Sequence, residues 1–292
     1  NGAGVYAVGG TITACSFTSN AAGGSGGGAY GIGPVLTVLS CTATMNRASS
    51  SGAGLYVSGG GDIRNYIANS NTAFGGGGGM AFVGPGSISN CMMAGNYASS
   101  DGGGIWVGGG VCFEASTICG NSTAGDGGGV YFSSGEMRNC FIFQNSATGL
   151  FSGGGGLYCS AGLVSNVQVS GNLSADSGGG IYNSLGVMDS CVISSNRAVD
   201  GGGVMNFISR GVLRNCAIRF NVASNWGGGI YGGTNNLSCI VTSNLAVKGG
   251  GAYEARLDHC LIAGNTATGG LPEGGGIFDA VAGNSTIADN RV

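Results

Sequence analysis

Apolar residues along this chain fall two apart in short runs, and each run closes on an Asn or a cluster of glycines. A spacing of two is strand spacing, and short alternating runs broken by turn residues predict strands joined by tight turns. The runs also recur. Gly-Gly-Gly-Ile-Trp at 102–106 returns as Gly-Gly-Gly-Val-Tyr at 127–131 and as Gly-Gly-Gly-Ile-Tyr at 178–182 and 227–231. Eleven intervals separate Tyr6 from Phe278, a mean period of about 25 residues, which marks a solenoid. About three short strands fit each repeat: one through the aliphatic–aromatic pair after the glycines, one ending at a polar position, and one running into the Asn. Helix is excluded, because each glycine would cost about 1 kcal/mol relative to Ala. The arrangement that satisfies every backbone group is a coil of parallel strands, one repeat to a turn, each turn bonded to those above and below. Rungs roughly 4.8 Å apart then make a rod of about 55–60 Å. The expected fold class is all-β, a single-stranded parallel β-helix of about 12 rungs running without a break over residues 1–292.

Aligned on the Asn, the repeats resolve into columns. The reference column is Asn20, Asn46, Asn71, Asn96, Asn121, Asn145, Asn172, Asn196, Asn221, Asn244, Asn265 and Asn290. Five residues earlier stand Cys15, Cys41, Cys91, Cys140, Cys191, Cys216, Cys239 and Cys260. Three before the Asn the residue is apolar in every copy, as in Phe17, Ile142 and Ile193. Eight before, it is apolar except at Asn236. One residue before the Cys column is a second polar column, mostly Asn or Ser (Asn65, Asn90, Asn139, Ser238). Stacked Asn side chains can hydrogen-bond along the axis and tolerate left-handed turns. A small residue two beyond the Asn (Ala22, Ala48, Ala98) suits a tight corner, and the glycines suit positive φ and close backbone approach.

These columns resemble the right-handed parallel β-helix of the pectate-lyase-like superfamily. In style they are most similar to polymorphic outer-membrane protein passengers, whose repeats carry Gly-Gly-Ala-Ile/Leu and Phe-x-x-Asn. Phe17-Thr18-Ser19-Asn20 matches the second motif in full, and the first stands here as Gly-Gly-Gly-aliphatic-aromatic. The resemblance covers the whole chain. It implies a secreted or cell-surface passenger used in adhesion or as a stalk.

Composition narrows the functional classes. Sixty-six glycines coexist with only 3 prolines and 42% hydrophobic residues, which fits neither collagen nor a flexible chain. With 8% charged residues and a net charge of −3, nothing marks a nucleic-acid or polybasic membrane surface, and no apolar run reaches transmembrane length. Asn1 falls inside a repeat and Asn290 opens another, so the chain reads as an excerpt of a longer, capped array.

Candidate chemistry is sparse. Parallel in-register neighbours hold their Cβ atoms near 4.8 Å, longer than the roughly 3.8 Å a disulfide prefers, and no Cys-x-x-Cys occurs, so the Cys column reads as buried reduced thiols. A bridge between Cys112 and Cys119 stays open. Tyr6, Tyr30, Tyr56, Trp106, Tyr131, Tyr158, Tyr182, Tyr231 and Tyr253 follow an inward aliphatic residue and so point outward. That column suits mutual stacking, contact with a neighbouring chain, or a grip on glycan rings. No cofactor is expected; Ca2+ between Asp101 and Asp126 is the one candidate, against plain turn carboxylates. Glu114 with Arg138, and Asp189 with Arg214, put opposite charges on adjacent rungs. Carbohydrate-active relatives of this fold use clustered aspartates with a basic residue or paired aspartates. Here His259 is the single histidine and Lys248 the single lysine, and no repeat carries a long inserted loop. The four Asn-x-Ser/Thr sequons, at Asn121, Asn172, Asn236 and Asn284, mostly follow from the columns. The expectation is a non-catalytic extracellular or cell-surface rod, a filament or sheath subunit that self-associates or an adhesin stalk. A glycan-binding adhesin is the alternative and a polysaccharide lyase or hydrolase the more distant one.

Overall fold

A computed structural model describes residues 1–207, 210–269 and 273–292. It is a parallel β-solenoid of three sheets, with 20, 12 and 11 strands. One turn shows the plan. Leu55–Ser58 and Gly61–Arg64 lie in the first sheet, Ile67–Asn69 in the second and Thr72–Ala73 in the third. In four turns the two first-sheet segments run on as one strand, as in Ile105–Glu114 and Val130–Arg138. Each strand pairs in parallel with its counterpart one turn away, so like residues stack on like: Ile105 on Val130, Trp106 on Tyr131, Phe113 on Met137. Alternation then sorts the faces. Leu55, Val57 and Ile63 are fully buried, as are Ala68 and Ala73 from the other two sheets. Each large aliphatic side chain contributes about 1.5–3 kcal/mol by leaving water.

The partition of a turn differs from that read along the chain. The two segments after the glycines share one sheet. The small residue beyond the Asn is not a corner: Ala48, Ala73 and Ala98 lie on two-residue strands of the third sheet and face inward. Ala48 and Ala73 pack there with Ala53 in a small buried cluster separate from the main core.

The left-handed corners also fall elsewhere. The Asn of the reference column is not left-handed; the residue before it is, at Ser19, Met45, Ser70, Gln144 and Phe220 among others, with φ between 55° and 57° in these five. The second polar column supplies the other corner, with positive φ at Asn65, Asn90, Asn139 and Asn215. Asn tolerates this region better than most residues, which accounts for its frequency there. In the glycine cluster each position has its own constraint. Gly102 has φ +65°, a Cβ on Gly103 would strike the Gly128 and Ser122 carbonyls of the next turn, and one on Gly104 would stand 2.9 Å from the Asn121 amide.

Candidate functional site

The reference Asn side chains form one continuous ladder. Each Oδ1 accepts both the backbone N–H and the Nδ2–H of the Asn one turn before it. For Asn145 these donors belong to Asn121, at 2.9 and 3.0 Å. The Asn145 Nδ2 donates its two hydrogens to Asn172 Oδ1 at 3.0 Å and to the Ile118 carbonyl at 3.0 Å. The pattern runs from Asn20 to Asn290 without a missing link. Asn46 to Asn265 are buried, whereas the terminal Asn20 and Asn290 are partly exposed. A buried primary amide is tolerable only when all its hydrogen-bonding capacity is met, and here it is.

The Cys column lies inside as well. Each thiol donates to the carbonyl two residues back, as Cys140 does to Arg138 at 3.3 Å, and the sulfur can accept a rung N–H, as Cys41 does from Cys15 at 3.4 Å. Ser116 fills the same role at its rung, accepting the Cys91 N–H at 3.0 Å. All eleven cysteines are free thiols, Cys112 and Cys119 included. Burial pushes Cys91, Cys140 and Cys159 up to about 12, so these thiols stay protonated at neutral pH. Tyr66 takes the column position between Cys41 and Cys91, and its fully buried hydroxyl has no hydrogen-bond partner.

The aromatic column points away from the axis but is half-buried along most of its length, because the rings cover one another. Tyr6, Tyr30 and Tyr56 stack at 5.2 and 4.9 Å between centroids; Trp106, Tyr131, Tyr158 and Tyr182 stack at 6.1, 4.9 and 5.0 Å. A third run holds Tyr231, Tyr253 and Phe278, with Trp226 laid on Tyr253. In the first two runs the stacked rings offer edges to the outside and few faces, whereas in the third Tyr231 meets Tyr253 edge to face at 89°. The Tyr131 and Tyr158 phenols are held above the usual range chiefly by desolvation.

Two rungs interrupt the column. Met205 stands between Tyr182 and Tyr231, and Phe207 folds back to meet the Tyr182 ring at 5.6 Å. Ala81 stands between Tyr56 and Trp106, and a concavity of about 380 Å³ opens there, lined by those two rings with Ser51, Val83, Ser100 and Asp101. The aromatic column visible in the sequence skips from Tyr56 to Trp106. The signal was present, since the registered position after Met80 carries a methyl where its neighbours carry rings.

The acidic positions before the glycines act as turn braces. Asp101 Oδ1 accepts the Asp126 N–H at 2.9 Å, Asp126 Oδ1 the Gly153 N–H at 2.7 Å, and Asp200 Oδ1 the Trp226 N–H at 3.1 Å. Desolvation raises the Asp126 and Asp200 carboxyls above the usual range despite these bonds. Among the described residues no group of three or more His, Cys, Asp and Glu side chains converges as a metal set would. On the outer face Arg138 pairs with Glu114 at 2.7 Å and Arg214 with Asp189 at 3.1 Å, while exposed His259 meets Asp258 at 3.3 Å. Of the sequons, Asn121, Asn172 and Asn236 are buried and hydrogen-bonded, which leaves Asn284 as the exposed one. No helix among the described residues is long and apolar enough to cross a membrane.

Residues 166–184 match the Chlamydia polymorphic membrane protein repeat, a stretch that holds Asn166, the ladder Asn172 and the Gly178-Gly179-Gly180-Ile181-Tyr182 cluster. The resemblance to such passengers therefore rests on a matched repeat as well as on the solenoid fold. No curated protein and no solved structure matches the chain.

Proposed function

We propose that this chain is a length of a cell-surface passenger: a stiff, non-catalytic rod that holds adhesive or anchoring regions of a larger protein apart. The observation that carries the reading is the uninterrupted Asn ladder. It ties every turn to the next through buried, fully satisfied amides, so the rod bends or opens only by exposing them. The polymorphic membrane protein repeat at 166–184 supports an adhesin-like surface setting over a free filament or sheath. Half-buried, edge-on rings speak against the whole Tyr/Trp column as a glycan-binding face. Electron microscopy of the native material, with surface labelling of intact cells by antibodies to this segment, tests the reading. Separate rods projecting from labelled cells are the expected result. Continuous filaments, or label that appears only after the cells are broken, would overturn it.

A further inference from the structure

At the break at Ala81 a missing ring leaves a concavity in the column. Ala81 pairs in register with Tyr56 on one side and Trp106 on the other, so two turns, roughly 9.6 Å, separate the ring-bearing positions. Within the uninterrupted runs an aromatic ring occupies the intervening rung, as Tyr30 does beside Tyr56 and Tyr158 beside Tyr131, at about 4.9 Å. Here Ala81 has no exposed surface of its own, and a concavity of about 380 Å³ lined by both flanking rings remains where a ring would stand. That is near the small end of the range for small-molecule sites, enough for about one sugar ring. The walls and the rim differ in chemistry. Tyr56 and Trp106 supply apolar faces, and Val83 extends them. Asp101 and the hydroxyl residues Ser51 and Ser100 supply the rim, where Gly75 and Gly76 keep the approach open. A Cβ on Gly76 would stand 3.3 Å from the Trp106 ring, so the glycine lets the indole lie flat across that edge.

We infer that this concavity binds one pyranose unit of a glycan, its apolar C–H faces against Tyr56 and Trp106 and its hydroxyls bonded by Asp101, Ser51 and Ser100. A purely aromatic occupant would leave the carboxylate and hydroxyls facing a hydrocarbon edge, whereas a sugar satisfies both kinds of wall. Asp101 retains acceptor capacity for this, because its Oδ1 holds the Asp126 N–H and its Oδ2 has only a long 3.4 Å contact with the Ser100 hydroxyl. The inference deepens the surface-passenger reading but does not depend on it for binding.

The test uses the full chain and its own fluorescence. The protein has 2 tryptophans, so Trp226→Phe leaves Trp106 as the only indole while keeping a ring against Tyr253. Methyl pyranosides of glucose, galactose, mannose and N-acetylglucosamine are titrated against it. A saturable change in Trp106 emission with at least one of them is expected. Asp101→Asn, which keeps an oxygen for the Asp126 N–H, should weaken binding about tenfold, the scale of one charge-assisted hydrogen bond. Ala81→Tyr, which restores the missing ring, should abolish binding at an unchanged or higher Tm; if it fails to fold, the Asp101→Asn result decides. No saturable change with any of the four sugars, or equal affinity in Asp101→Asn, would overturn the inference. So would sedimentation showing a dimer that both Ala81→Tyr and Phe151→Ser dissociate, since Phe151 is 91% exposed and could fill the gap from a second copy. Failure of the titration leaves the surface-rod reading standing, and failure of surface labelling leaves the sugar site standing.

Discussion

Replacing Asn145 by Ala probes the ladder at its middle. The backbone N–H of residue 145 keeps its acceptor, Asn172 Oδ1, at 2.9 Å. Three other bonded groups lose their partner: the Asn121 N–H, one Asn121 Nδ2–H, and the Ile118 carbonyl at its Nδ2 contact. All lie in the interior, where no water replaces the lost partner. An orphaned buried group costs about 1–3 kcal/mol, so the expected loss is about 3–6 kcal/mol once some relaxation is allowed. A solenoid need not unfold in one step, so the local readout is amide exchange by mass spectrometry on peptides covering 118–124 and 142–148. About 3–6 kcal/mol corresponds to a fall in protection of about 10²–10⁴-fold at those turns, with distant turns little changed. Asn145→Asp separates hydrogen bonding from packing. Its size is unchanged, but the ionised carboxylate would face Asn172 Oδ1, and protonation restores a donor, so its protection should recover as pH falls toward 4. A loss under about 1 kcal/mol for the Ala variant, or no pH dependence for the Asp variant, would refute the ladder accounting.

The remaining expectations address the other columns. Tyr158→Ala removes two stacked pairs, at 4.9 and 5.0 Å, and should cost about 1–3 kcal/mol in a denaturant melt, while Tyr158→Phe should cost little. Native protein should react with a thiol reagent at pH 8 only at Cys15, Cys112 and Cys119, with the eight buried thiols appearing on denaturation; mass mapping of labelled peptides reads this. Asp126 and Asp189 should show opposite pH signatures. Burial raises the Asp126 carboxyl, so its ionisation costs stability above the folded value and nothing below the unfolded one. The Tm of Asp126→Asn relative to the parent should therefore improve from pH 3 to pH 7. The Asn215 amide and the Arg214 guanidinium lower the Asp189 carboxyl, so its contribution is present at neutral pH and lost as pH falls through the folded value; Asp189→Asn should lose ground from pH 3 to pH 7. Arg138→Ala breaks an exposed, solvent-screened ion pair with Glu114 and should leave the Tm essentially unchanged.

Much of this molecule was legible along the chain, because a solenoid repeats its local rules. The Gly-Gly-Gly clusters and the period between them exclude helix and dictate a coil of parallel strands. The period-two placement of Ile105, Phe113 and Ile118 decides which side chains enter the core. Opposite charges in one outward column, as at Glu114 and Arg138, predicted a pair that the adjacent rungs form. In each case a residue's environment is decided by its own turn or by an identical neighbour one turn away.

What only the tertiary structure decided depends on how neighbouring turns meet. Alternation places Tyr131 on the outer face, but its burial follows from rings one turn above and below, about 25 residues away in each direction. The left-handed corner passed from the Asn to the residue before it because the Asn side chain must lie along the axis to reach the next amide. The gap at Ala81 follows the same principle. A single alanine in an outward column carries no signal by itself, and it becomes a cavity only because Tyr56 and Trp106 are fixed by the register of their strands. Local pattern determined the fold, and contacts between turns determined where the surface leaves a concavity.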